Sequence, residues 1–329
     1  METASDLTDV RQGGRWTLAQ RAKNDVLWWL ASGAVATVGR LPPRLLRRAG
    51  VALGAFAHLV LPPVRRRAEQ NVALAFPELD RAACRALVAR TYRTLGGYLG
   101  DAVAMLDPRR AVAPLPFAPG AREVLDDALA EGRGVVFASA HLGPWERVAA
   151  TLVQDELPFT AVAREAYDPR LTRLYERLRG ARGLATIYRG APGAGTALLR
   201  TLRRGRILGI PMDLASRVPS IDVPFLGHDA RTPVGPARLA LRTGAAVVVG
   251  LAAPARARTD GANDMLELAV TRITTSDLAA SVGNDATSQE RILTTRINDV
   301  ISAHIRAMPE AWVWMHPRWP TQTRARTTV

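Results

Sequence analysis

From about residue 121 to residue 307 the chain switches repeatedly between two hydrophobic periods, and this alternation constrains its fold more than any other feature. Short apolar runs rich in β-branched residues read as buried strands at 134–139, 159–163, 184–188, 206–210, 246–251 and 265–270. Between them lie helix-period segments at 121–131, 144–154, 169–179, 194–204 and 233–243, several stopped by a glycine (Gly132, Gly205, Gly244). Thr287 and Glu290 have the spacing of a capping box and open a last helix that runs to about Ala307. Strands and helices in alternation predict an α/β fold, a largely parallel sheet flanked by helices.

Ahead of this region, residues 81–106 place Leu87, Val88, Tyr92, Leu95, Tyr98 and Leu99 on one helical face. Pro108, Pro114, Pro116 and Pro119 then mark an extended connector. Pro62-Pro63 and Arg65-Arg66-Arg67 set off an apolar, basic N-terminal part. The expected organisation is therefore an N-terminal segment (1–64), a main domain (65–320) and a disordered tail (321–329).

Apolar residues make up 48% of the 329 and charged residues 22%, which excludes a disordered protein. Cys84 is the single cysteine, so neither an internal disulfide nor a cysteine metal cluster is available. The net charge of +14 draws the chain toward polyanions, and its distribution favours lipid over nucleic acid. Residues 1–68 hold eleven basic side chains against four acidic ones, and these punctuate apolar segments instead of the aromatic-bearing strands of a nucleic-acid platform.

Val26 to Val38 is uninterrupted by charge, and Val51 to Leu61, with His58 as its one titratable residue, nearly repeats the pattern. As helices they would be roughly 20 and 17 Å long, against the roughly 30 Å of a bilayer core. They are expected to lie in or dip into a membrane face. Trp28 and Trp29 would sit at the headgroup level, with arginines on anionic lipid. The alternative is two ordinary buried helices.

The octet Ser139-Ala140-His141-Leu142-Gly143-Pro144-Trp145-Glu146 follows the 134–138 apolar run directly. It places His141 at the mouth of a strand and Glu146 on the first turn of the next helix, with Pro144 as a first helical residue. On a continuous helix five residues would separate the two side chains by about 140°; a strand-to-helix break lets them converge. A carboxylate on one imidazole nitrogen would fix the tautomer and leave the other as a base. A core histidine satisfied by a neighbour is the alternative. Arg164 and Asp213 also fall at strand ends, where a cation can hold a phosphate. Residues 221–236 read as an apolar loop, either the wall of a fatty-chain groove or a packed connection. Neither a Gly-x-Ser-x-Gly elbow nor a His-Glu-x-x-His zinc pattern occurs.

The block HLGPWE at 141–146 resembles the His-x4-Asp/Glu motif of the glycerolipid acyltransferase superfamily. The wider pattern is similar to the branch of the late acyltransferases of lipid A assembly. It runs from Arg65-Arg66-Arg67 through Asn71 and Phe76-Pro77-Glu78, then Arg164, IPMD at 210–213, residues 223–248 and PEAWVWMHPRW at 309–319. The resemblance implies acyl transfer from an acyl carrier protein or coenzyme A thioester to a glycolipid hydroxyl at the cytoplasmic face of the inner membrane. A lipid A precursor, as in lipopolysaccharide synthesis, is the first expected acceptor; mannosylated phosphatidylinositol and ornithine-type lipids serve other branches. It further implies His141 as general base, Glu146 orienting its ring, Arg164 on an acceptor phosphate and Asp213 shaping the site. No bound cofactor and no metal are implied.

Overall fold

The structure is a computed structural model and describes residues 15–37, 40–107, 109–166, 168–216, 218–255 and 266–319. The tail expected to be disordered, 321–329, lies outside these residues, as do the first fourteen. Four helices come first: α1 (Leu18–Ala36), α2 (Pro43–Val60), α3 (Pro62–Ala75) and α4 (Arg81–Ala104). An α/β region follows, made of α5 (Ala121–Ala130), β1 (Val135–Ser139), α6 (Trp145–Gln154), β2 (Phe159–Arg164), α7 (Pro169–Gly180), β3 (Ala185–Arg189), α8 (Ala194–Arg203) and β4 (Ile207–Pro211). The chain continues with β5 (Ser220–Phe225), β6 (His228–Pro233), α9 (Gly235–Thr243), β7 (Ala246–Pro254), β8 (Leu266–Ile273), α10 (Leu278–Val282) and α11 (Ala286–Ala307).

Six strands form one sheet in the order β3-β2-β4-β1-β7-β8; all pairings are parallel except β7 with β8. This is the largely parallel, helix-flanked sheet the alternation predicts. Side chains of successive strand residues point to opposite faces, and each face is covered. Val135, Phe137, Phe159 and Ile207 pack with Val148 and Leu152 of α6 and Leu125 of α5. Val136, Ala138, Leu208, Val247 and Val249 face Ala237 of α9, Ile297 and Ile301 of α11, and a tryptophan cluster from the C-terminal segment.

Local chemistry explains most boundaries. Asp80 caps α4 by accepting from the Ala83 amide at 2.7 Å, and Asp168 caps α7 ahead of Pro169. Gly244, with φ of 69°, ends α9 in the left-handed conformation. Three local expectations are corrected. Asp285 caps α11, accepting from the Thr287 and Ser288 amides, while Glu290 is paired with Arg238 at 2.7 Å. Thr232 and Pro233 end β6 instead of opening α9. The expected apolar loop at 221–236 is an antiparallel hairpin whose Val223, Phe225, Ala230 and Thr232 are buried, so it is a packed connection.

α2 and α4 cross at backbone contact. A Cβ built on Gly50, Gly54, Gly96 or Gly100 would overlap a carbonyl oxygen of the facing helix. Leu46, Gly50 and Gly54 are thus sealed, while Leu53, Phe56 and Leu59 on the opposite side are 55–68% exposed. α1 likewise leaves Leu18, Val26, Leu27, Trp29 and Leu30 exposed. Trp28 lies beneath the Arg170 guanidinium of α7, 5.5 Å from its ring centre, and Asp25 pairs with the same arginine at 2.8 Å. Among the described residues no single helix is long and apolar enough to cross a membrane. α2 and α3 pass that test together, bent by 94°. Residue 64 falls inside α3.

Because the helix crossing leaves no room for a methyl group, Gly54→Ala is expected to destabilise the protein by about 2 kcal/mol. Gly33→Ala on α1, where nothing lies within 4 Å, should leave stability unchanged or raise it slightly. Urea unfolding of the two variants checks this; equal midpoints would refute the close-packing account.

Candidate active site

The turn after β1 is held open for chemistry by its own backbone. Gly143 has φ of 65°, a left-handed conformation that lets the chain reverse from strand into α6. Its amide donates to the Ala311 carbonyl at 3.0 Å, and Leu142 pairs with Trp312 in an antiparallel bridge. Pro144 is the residue before the first helical turn, so α6 begins at Trp145, one position later than its sequence suggests. Glu146 stands on that first turn as expected.

His141 therefore sits just past the carboxyl end of β1, beside the carboxyl end of its neighbour β4, which leads through Met212 to Asp213. The two residues, 72 apart in sequence, meet side by side. His141 Nδ1 lies 2.9 Å from Asp213 Oδ1, and the His141 amide donates to Asp213 Oδ2, also at 2.9 Å. Trp312 Nε1 donates to that same Oδ2 at 2.8 Å. A carboxylate only accepts, so Nδ1 carries its proton toward Asp213 and the Nε2 lone pair is left for a substrate. Asp213 is fully buried, while the His141 side chain is 30% exposed. Among the described residues Nε2 has no protein partner. Trp145 covers the ring edge-on, with centroids 5.3 Å apart.

This corrects the expectation that Glu146 orients the imidazole. The carboxylate on the ring is Asp213; Glu146 Oε1 instead accepts from Arg179 Nη2 of α7 at 2.5 Å. Glu146 acts on His141 through charge alone. Burial depresses the His141 pKa, but Asp213, by charge and hydrogen bond, and then Glu146, by charge, lift it above the usual imidazole value. For Asp213, burial raises the carboxyl pKa, and the His141 charge, its hydrogen bonds and that of Trp312 more than reverse this and hold it low.

Arg164 ends β2, separated from β1 by β4, so it lies on the same sheet edge as His141, two strands away. Two contributors went unassigned from sequence: Trp312, inside the quoted C-terminal block, and Arg179, in the arginine-rich helix. An indole and a guanidinium on distant elements carry no local signal. A His–carboxylate pair with one free nitrogen, at the strand ends of a parallel sheet, is the arrangement of a general base acting on a hydroxyl. Among the described residues no group of His, Cys, Asp and Glu could hold a metal ion.

The fold and this site define an α/β protein with a histidine–aspartate pair at the sheet edge. Comparison of the chain with known proteins agrees: it belongs to the bacterial lipid A biosynthesis acyltransferase family, matching over residues 18–321. It is similar to the phosphatidylinositol mannoside acyltransferase of Mycobacterium tuberculosis, 27% identical over 217 residues, 65% of this chain and 63% of that one. The Mycolicibacterium smegmatis protein of the same name is 28% identical over 194 residues, 58% of this chain and 59% of that one. The lipid A biosynthesis lauroyltransferase of Escherichia coli is 26% identical over 305 residues, 90% and 92%. The chain thus spans just under two thirds of the mycobacterial relatives, at 63% and 59% of their length.

The folded-state shifts have a definite sign. His141, raised on folding, contributes stability below its unfolded pKa and loses it as pH rises through the folded one. Asp213, lowered, contributes above its unfolded pKa and loses it as pH falls through the folded one. Asp213→Asn should therefore lower the His141 pKa relative to wild type, read by NMR titration of labelled histidine. An unchanged pKa would mean the carboxylate does not govern the ring.

Proposed function

We propose that the protein transfers a fatty acyl chain from an acyl carrier protein or coenzyme A thioester to a hydroxyl of a glycolipid at the membrane surface. The observation that carries this reading is the His141–Asp213 pair with its open Nε2. The acceptor O–H proton passes to Nε2 as the oxygen attacks the thioester carbonyl. The tetrahedral intermediate collapses with loss of the C–S bond, and the departing thiolate takes the proton back from the imidazolium. Asp213 holds the tautomer and stabilises the imidazolium. Glu146, kept at the mouth by Arg179, adds a second negative charge that favours proton uptake. Base assistance of this kind is worth about 10²–10⁴-fold.

Two acceptors suit the family. A lipid A precursor is supported by the family itself and by a relative that aligns over 90% of this chain. Mannosylated phosphatidylinositol is supported by the mycobacterial relatives, 27% and 28% identical over shorter spans. Both are phosphate-bearing glycolipids. Mass spectrometry of products from purified protein, an acyl thioester and each acceptor separates them. His141→Ala should reduce transfer by at least about 10²-fold with folding intact. In wild type, kcat/KM should rise with pH through the elevated His141 pKa, since the neutral ring is the base, and Asp213→Asn should move the residual activity's rise to lower pH. Full turnover in His141→Ala would end the proposal.

Contact with a membrane surface is supported by the exposed apolar faces of α1 and α2 and by the arginines beside them, Arg44, Arg47 and Arg48; the cytoplasmic face of the inner membrane is proposed from the family alone. Partners then include an anionic membrane surface and no nucleic acid. Leu53→Asp with Phe56→Asp should weaken sedimentation with anionic vesicles at least about tenfold without altering the circular dichroism spectrum. Undiminished vesicle binding would refute this surface.

A further inference from the structure

α1 meets the α/β region along one side of α7. On that helix Arg170, Arg173 and Arg177 recur at i, i+3 and i+7, so they share a face. Arg179, which holds Glu146, lies two residues beyond Arg177 and points about 200° away from it. The three-arginine face therefore turns away from the catalytic crevice. It meets α1 across a cleft of about 600 Å³ lined by Trp28, Arg170, Arg173, Glu176 and Arg177. Arg170 is neutralised there by Asp25 of α1 at 2.8 Å and by Asp168 at 2.7 Å. Arg173 and Arg177 are exposed, and among the described residues neither makes an ion pair or a hydrogen bond. Asp168 senses Arg173 through charge alone.

Like charges one helical turn apart repel, and their Cβ atoms stand about 5–6 Å from each other. At that spacing one phosphodiester can accept from both guanidinium groups. The surroundings narrow the class of anion. No described residue of α1 is buried, and next to Trp28 the side chains of Val26, Leu27, Trp29 and Leu30 are all exposed. A cationic cleft that opens onto bare apolar side chains matches an amphiphile with an anionic head and a hydrocarbon tail. An inorganic anion or a purely acidic segment would leave the apolar part uncovered. An indole at the boundary, with an apolar body and a polar tip, suits the level of a lipid headgroup. We propose that the cleft between α1 and α7 binds a single anionic phospholipid, its phosphodiester held by Arg173 and Arg177 and its head against Trp28, with its acyl chains along α1. The lipid then fastens α1 to the α/β region, which the solvent-facing Asp25–Arg170 pair does only weakly. It is a resident ligand and not the acyl acceptor, because this face turns away from His141. The place of the acyl chains rests on the membrane-surface reading; the headgroup contacts do not, and neither depends on acyl transfer.

The full chain is titrated by calorimetry with dihexanoyl phosphatidylglycerol below its micellar concentration, and separately with inorganic phosphate. Wild type should bind one lipid per chain, and inorganic phosphate at least about tenfold more weakly. Arg173→Gln combined with Arg177→Gln should weaken lipid binding at least about tenfold, through loss of charge-assisted contacts. Trp28→Ala should weaken lipid binding and leave phosphate binding as in wild type. Arg44→Gln with Arg48→Gln, on the α2 surface, should bind the soluble lipid as wild type does. Lipid affinity unchanged in the Arg173 and Arg177 double variant, with native circular dichroism, overturns the site. Equal affinity for lipid and inorganic phosphate also overturns it, since the arginines would then hold any anion. So does a double variant that keeps its lipid affinity but no longer binds acyl carrier protein, which assigns the face to that protein. Vesicle binding undiminished in Leu53→Asp with Phe56→Asp, alongside lipid binding that depends on Arg173 and Arg177, would keep this site and remove the α2 surface.

Discussion

A carboxylate taken entirely out of water must be repaid in hydrogen bonds or charge, and the buried Asp213 organises this molecule around that requirement. Its two oxygens accept from the His141 ring, the His141 amide and the Trp312 indole. Those donors belong to two stretches of chain: the turn after β1, which supplies both a ring and a backbone amide, and the C-terminal segment. Arg318, fully buried under Phe225 with its pKa pushed down to about 10 by burial, adds a cation whose charge is coupled to Asp213. Removing any one donor would leave part of the charge uncompensated, which explains why remote segments converge here. Asn71 of α3 continues the convergence by donating to the Trp314 and His316 carbonyls, both at 2.8 Å.

The order of the strands supplies the rest. From β1 the chain moves outward to β2 and β3, then returns so that β4 fills the place between β2 and β1 before β7 pairs on β1's other side. β1 and β4 thus become neighbours with their carboxyl ends level, Ser139 opposite Pro211. The crevice where connections leave in opposite directions is where backbone groups at strand ends stay open to a ligand. His141 and Asp213 flank it, and Arg164 and Arg189 continue the same edge outward.

Much of this fold is legible in the residues because the relevant forces are local. Val135–Ser139 and Ala246–Pro254 are strands buried on both faces and read as continuous apolar runs. Gly244 stops a helix wherever it occurs in that pattern. The hairpin of β5 and β6 escaped because its turn, Leu226-Gly227, puts a leucine at φ of 52°, a conformation usually taken by glycine or asparagine. Its alternation of buried Val223 and Phe225 with exposed neighbours was available as a signal, though short and interrupted by Pro224. The site was legible by position and not by partnership. His141, Glu146, Arg164 and Asp213 all fall at strand ends or helix starts, as read. Which carboxylate meets the imidazole depends on β4 lying beside β1, and strand order is a property of the whole sheet.

That distinction bears on what the His-x4-Glu spacing encodes. Five residues across a strand-to-helix break bring Glu146 close enough to act on His141 electrostatically, yet its hydrogen bond goes to Arg179. A half-buried carboxylate already paired with a guanidinium raises a neighbour's proton affinity less than a fully buried one in direct contact, because water and the counter-charge both screen it. The order of influence on His141, Asp213 before Glu146, follows from that physics. The spacing therefore records where α6 must begin relative to β1, with Gly143 making the reversal and Glu146 fixing Arg179 at the rim. The hydrogen bond to the ring comes from the carboxylate delivered by the adjacent strand, so the histidine–aspartate pair is assembled by the sheet as a whole and not by its signature block.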